Sequence, residues 1–304
     1  MNTGIKITAF AAALAATFGT AYGVGKGVGP TGAPAKPDHA GHAAQAQAPA
    51  GTEAGHGEHD AVPAAPAAGG LQVSEGGYTL ALDTPRIAAG PGELRFAIKD
   101  AQGRNVTAYK TEHGKELHFI VASRDLTVYR HLHPVRAADG TWSAPVDLPA
   151  AGGYKAFADF APADGGAKGV ILGADLSVPG PYEPNPLPPA ARTAEVDGYR
   201  IALGGALDPG KAGELRLTVG KDGKPVTDLE PYLGAYGHLV ALREGDLAYL
   251  HVHPNEGGPG PDVSFTATAP SPGNYRLFLD FRHEGTVRTA AFTVQAAGGE
   301  GRTR

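Results

Sequence analysis

Residues 238–254 read HLVALREGDLAYLHVHP, and residues 118–134 read HFIVASRDLTVYRHLHP. In each stretch two apolar runs flank a charged turn, and the second run ends in His-x-His-Pro. The likeness extends outward from there. Gly77-Tyr78 matches Gly198-Tyr199, Glu93-Leu94-Arg95 matches Glu214-Leu215-Arg216, and Val106-Thr107 matches Val226-Thr227. Tyr154, Asp159 and Phe160 likewise match Tyr275, Asp280 and Phe281. The offset stays at 120 or 121, so the chain carries one module twice, over residues 71–178 and 193–296. The proline-rich residues 179–192 between them read as a stiff, extended linker.

Within the second module, runs at 199–203, 214–219, 238–242, 247–252, 263–267, 275–281 and 286–294 alternate with a period of two and are separated by turn signals. Lys221-Asp222-Gly223-Lys224 and Arg243-Glu244-Gly245-Asp246 are hairpin-type turns. About seven strands in about 100 residues is the size of an antiparallel sandwich. The predicted fold class is therefore all-β, with two tandem immunoglobulin-like or cupredoxin-like β-sandwiches. Trp142, the only Trp in the chain, is expected in the core of the first.

The same hairpins decide the candidate site. If Glu244-Gly245 is a two-residue loop, Arg243 pairs with Asp246, and counting back places His238 opposite His251. With Arg124-Asp125 as the loop, His118 falls opposite His131. Directly opposed strand residues have Cβ atoms about 4.5–5.5 Å apart, and residues i and i+2 share a face. So His118, His131 and His133 form one cluster, and His238, His251 and His253 another, each at a strand end closed by proline. Asp159, Asp280, His283 and His113 are further candidate ligands. Tyr129 and Tyr249 lie two residues before the central His and are expected in core packing.

Composition fixes what such clusters could bind. The chain has no Cys, and its single Met is residue 1, so thiolate and thioether ligation are excluded. Three neutral imidazoles without sulfur suit Cu(II), Zn(II) or Ni(II), with copper favoured by the Irving–Williams order. One ion per module is expected. A net charge of −5 and a pI near 6.2 give no basic footprint for nucleic acid.

Ahead of the modules, Lys6 precedes an uncharged stretch over residues 7–25. That is the pattern of an export signal, or of an anchor long enough to span a bilayer if retained. Residues 1–26 are read so, which places the rest outside the cytoplasm, secreted or membrane-anchored. Residues 27–70 are rich in Ala, Gly, Pro and Gln, and too poor in large apolar side chains to fold, so they read as a disordered tether. Its His39, His42, His56 and His59 form weak metal-collecting motifs, DHAGH and GHGEHD. Residues 297–304 read as a disordered tail.

PYLGAYGHLVALREGDLAYLHVHP (231–254) and SPGNYRLFLDFRHEGTVRTAAFTV (271–294) resemble secreted bacterial YtkA-like and CopC-like β-sandwich modules. The resemblance implies an extracytoplasmic immunoglobulin-like fold linked to heavy-metal, chiefly copper, handling. The methionine-rich sites of some copper carriers are missing here. The expected function is an exported, non-enzymatic metal-binding protein. One alternative is an extracytoplasmic interaction module whose histidines are structural. The other is a cupin-type metalloenzyme, suggested by His251-x-His253-x2-Glu256; against it, Arg136 stands where Glu256 does, and a second cupin motif is missing. No nucleophile triad or P-loop appears.

Overall fold

A computed structural model describes residues 68–163, 169–250 and 252–297, all within a single unit, Asp60–Arg304. Residues 1–26, read above as an export signal or anchor, most of the tether and most of the tail lie outside these residues. No helix among the described residues is long and apolar enough to cross a membrane.

Alternation of apolar side chains builds four antiparallel sheets. In the first module one sheet runs, in spatial order, Ser74–Glu75, Tyr78–Leu82, Gly90–Lys99, Thr141–Leu148 and Val135–Arg136. The other runs Val170–Val178, Gly152–Pro162, Leu117–Ser123 and Tyr129–Leu132, with Tyr109–Lys110 also on Gly152–Pro162. The second module repeats the plan. Thr193–Val196, Tyr199–Gly205, Ala212–Lys221, Asp262–Thr268 and Val252–Pro254 face Tyr249–Leu250, His238–Arg243, Gly273–His283 and Thr286–Ala296. The chain is thus two tandem immunoglobulin-like β-sandwiches. Each has its own core: Phe96, Phe119 and Trp142 stack in the first, and Tyr199, Phe265, Phe281 and Phe292 fill the second.

A third core lies between the modules. Ile120, Ala122, Leu126, Tyr129, Phe157 and Ile171 of the first pack on Val240, Leu242, Leu247, Tyr249 and Phe278 of the second. The strand Leu117–Ser123 is buried at every position because one face serves its own sandwich and the other this interface. Tyr129 stacks on Phe278 with ring centroids 4.1 Å apart, and its repeat counterpart Tyr249 meets Phe157 at 5.6 Å. These reciprocal contacts relate the modules by an approximate two-fold axis. Burial of each such side chain stabilises docking by roughly 1.5–3 kcal/mol. The two tyrosines pack here, between the sandwiches, rather than inside either one.

Only one of the turns keeps its expected length. Lys221 pairs with Lys224 across Asp222-Gly223, both in the left-handed region, as a two-residue hairpin requires. The turns at the His clusters are longer. Ser123 N donates to Val128 O at 2.9 Å, and Arg243 N to Ala248 O at 3.0 Å, so residues 124–127 and 244–247 form four-residue loops. Leu126 and Leu247 adopt φ of 59° and 58° and are 1% and 0% exposed. Each leucine is turned into the core between the modules, and that burial lengthens the loop. The register correspondingly moves two residues: His131 pairs with Ile120, not His118, and Leu250 with Ala241.

Candidate metal centre

A shift of two preserves the faces, because side chains alternate with period two. His118 and His131 therefore still share a face, and the moved register brings His118 level with His133. At that point the chain leaves one sheet for the other: Tyr129–Leu132 belongs to the sheet at the interface, and Val135–Arg136 to the outer sheet. One nitrogen each of His118, His131 and His133 lie within 4.8 Å of one another. The face they occupy is the one with Ile120 and Ala122, so the cluster looks toward the other module.

A neighbouring carboxylate assigns one proton. His131 Nδ1 lies 2.8 Å from Asp280 Oδ2, a carboxylate of the second module that also accepts from Thr289 Oγ1 at 2.5 Å. A carboxylate accepts, so His131 carries its proton on Nδ1 and presents the Nε2 lone pair. His118 Nε2 reaches the Glu112 carbonyl at 3.4 Å, a long contact. His118 Nδ1 and His131 Nε2 face each other at 3.3 Å. With the His118 proton on Nδ1 the two rings share a hydrogen bond; with it on Nε2 two lone pairs meet, and an extra proton or a metal ion joins them. An ion bound tetrahedrally at about 2.0–2.1 Å spaces its ligand nitrogens about 3.3–3.4 Å apart.

Burial first of all favours the unprotonated form of His118, His133 and His238. Burial, then the neighbouring His131, holds His118 down to about 3. The same two causes hold His133 at about 4. Burial, then His131, takes His238 of the second module down to about 2. Asp280 is 2% exposed, and its two oxygens meet His131 Nδ1 and Thr289 Oγ1.

The other candidates are distributed as follows. His238 joins the cluster from the second module, its ring 5.1 Å from His118 and 5.2 Å from His131. His113, exposed on its loop, sits 6.2 Å from His118 and 5.6 Å from His238. Asp280 stands behind His131 as the acceptor that orients it. Asp159 pairs with His118 across the sheet, and burial, then Glu112, pushes it up to about 7. His283 lies apart: its Nδ1 meets Tyr199 Oη at 2.7 Å and its Nε2 meets Asp228 at 3.0 Å. His251 and the side chain of His253 lie outside the described residues, as do His39, His42, His56 and His59. Sequence reasoning treated the two clusters as separate. Its missed signal was the unbroken apolar run around His118, which marks a strand covered on both faces.

Residues 72–170 and 194–298 match the family described as Domain of unknown function (DUF8832), and the chain belongs to that family. No curated protein matches. Among solved structures, a DUF4426 family protein from Pseudomonas aeruginosa is similar at 9% identity and a TM-score of 0.28, covering 36% of this chain and all of that one. InvD of Yersinia pseudotuberculosis is similar at 11% identity and a TM-score of 0.25, covering 74% of this chain and 59% of that one. The D0-D1 domain of intimin is similar at 12% identity and a TM-score of 0.22, covering 71% and 96%. Likeness this slight carries no weight for function.

Proposed function

We propose that this member of the DUF8832 family is an exported, non-enzymatic protein that binds a divalent metal ion, Cu(II) or Zn(II), at the imidazoles of His118, His131 and His133. The observation that carries the reading is the convergence of three imidazoles whose nitrogens lie within 4.8 Å of one another, His118 Nδ1 and His131 Nε2 at 3.3 Å, with His131 Nδ1 oriented by Asp280. His133 decides between proton and metal. An imidazolium at His131 would satisfy His118 and Asp280 but leave the buried His133 Nε2 without a partner. A metal ion collects all three. The carboxylate–histidine arrangement at Asp280 is the outer-shell device that orients metal-binding imidazoles and raises their basicity. Export is proposed from the uncharged N-terminal stretch after Lys6. The resemblance to copper-handling modules fits Cu(II).

Calorimetric titration of the purified full chain with CuCl2 and ZnCl2 at pH 7 tests this. Saturable binding tighter than about 10 µM is expected. His131→Ala should abolish it, and Asp280→Asn should weaken it about 10- to 100-fold. Both variants keep the tether histidines, so binding that survives His131→Ala unchanged belongs to the tether and overturns the proposal. A metal-free protein in which the cluster binds nothing leaves the structural reading, with a protonated His131 tying Asp280 to His118.

A further inference from the structure

His238 is the group that the three-histidine site does not use. Both of its ring nitrogens are enclosed, and neither has a hydrogen-bond partner among the described residues. Buried polar atoms without partners are rare and costly, about 1–3 kcal/mol each, and call for a specific explanation. Its own strand cannot supply one: Val240 and Leu242, the next residues on its face, are apolar members of the inter-module core. Across the sheet its backbone neighbour is Asp280, whose two oxygens are taken by His131 and Thr289. What His238 does face is the first module's cluster.

Four of the ring spacings there are close to those of a shared ion; His118 and His133 stand wider, at 6.1 Å, and the nitrogens already within 4.8 Å of one another are those of His118, His131 and His133. Imidazoles bound tetrahedrally to one metal place their centroids roughly 5 Å apart. His238 lies 5.1 Å from His118 and 5.2 Å from His131, while His131 lies 5.5 Å from His118 and 5.0 Å from His133. We propose that His238 supplies the fourth nitrogen, so that the site is a single four-histidine centre built by both modules. This deepens the metal-binding reading and rests on it. It replaces one ion per module by one ion per chain. It also makes the ion a clamp: His118, His131 and His133 come from one sandwich, and His238 and the orienting Asp280 from the other.

Cu(II) bound to the full chain, followed by calorimetry and by electron paramagnetic resonance, tests the proposal. One ion per chain and a four-nitrogen copper spectrum are expected. His238→Gln should weaken Cu(II) binding about 10- to 100-fold and give a three-nitrogen spectrum. Two tightly bound ions per chain, neither of them held by the tether histidines, would overturn the shared site, as would a His238→Gln protein with unaltered affinity and spectrum; in either case the metal-binding reading stands. Absence of saturable binding in the wild type removes both. If His238→Gln fails to fold, ion stoichiometry and nitrogen count in the wild-type protein still decide.

Discussion

At the scale of the residue, the centre is an exercise in proton placement. Asp280 lies 2.8 Å from His131 Nδ1 and the Glu112 carbonyl 3.4 Å from His118 Nε2, and the other two ring nitrogens approach to 3.3 Å. The histidines also set a pH dependence whose sign follows from their environment. His118, His133 and His238 are all held below their ordinary value of 6.5, to about 3, 4 and 2, chiefly by burial. Between those values and 6.5 the unfolded chain binds more protons than the folded one, so folding weakens as pH falls. The stabilisation is complete above about pH 6.5 and is lost progressively below it. Denaturant midpoints of the metal-free protein should hold steady from pH 8 to 7 and fall steeply from pH 6.5 to 4.5. A triple variant with Ala at all three positions should flatten that fall. Residue types and their spacing showed these histidines from the sequence; the carboxylate behind His131 was visible only as a matched strand position, because its partner lies about 150 residues away and in the other module.

At the scale of the element, the hairpins carry the site. Their strands were legible from alternation, and so was the sharing of a face, which depends only on parity. The loop length was not. A turn such as Arg-Glu-Gly-Asp has the polar composition of a two-residue hairpin, but here Leu247 belongs to it, bent into the left-handed region to reach the inter-module core. Arg243 and Asp246 pair within the same loop, and Asp246 Oδ1 caps Ala248 N at 3.0 Å. Leu247→Ala should cost about 2–5 kcal/mol, measured by chemical denaturation, since the leucine is fully buried in the inter-module core. The same truncation on an exposed leucine would cost almost nothing, so a loss under about 0.5 kcal/mol would show that this loop does not anchor the interface.

At the scale of the whole molecule, the two sandwiches dock through the faces that bear their histidine strands, and the chain entering the first module seals the joint. Gly69 exchanges two backbone hydrogen bonds with Tyr249 of the second module, at 3.1 and 2.9 Å, and Gly70 N donates to Ile171 O at 2.9 Å. Gly70 has φ of 70°, and a Cβ there would stand 2.5 Å from the Phe157 ring. Gly70→Ala combines a left-handed conformation with that overlap, and should destabilise docking by about 1–3 kcal/mol. Metal affinity should drop alongside stability, because Asp280 and His238 reach the site only while the modules are docked. A thermal melt and a Zn(II) titration of the same variant check both parts.

The amino-acid sequence by itself determined the duplication, the β-sandwich class, the identity of the clustered histidines and their common face, since each of these follows from local periodicity and residue type. Only the tertiary structure decided that the histidine faces turn toward each other, that two buried leucines stretch the hairpins by two residues, and that a carboxylate and an imidazole of one module come to lie against the histidines of its twin. Those choices come from burying apolar surface between sandwiches, a non-directional attraction that no short stretch of sequence records.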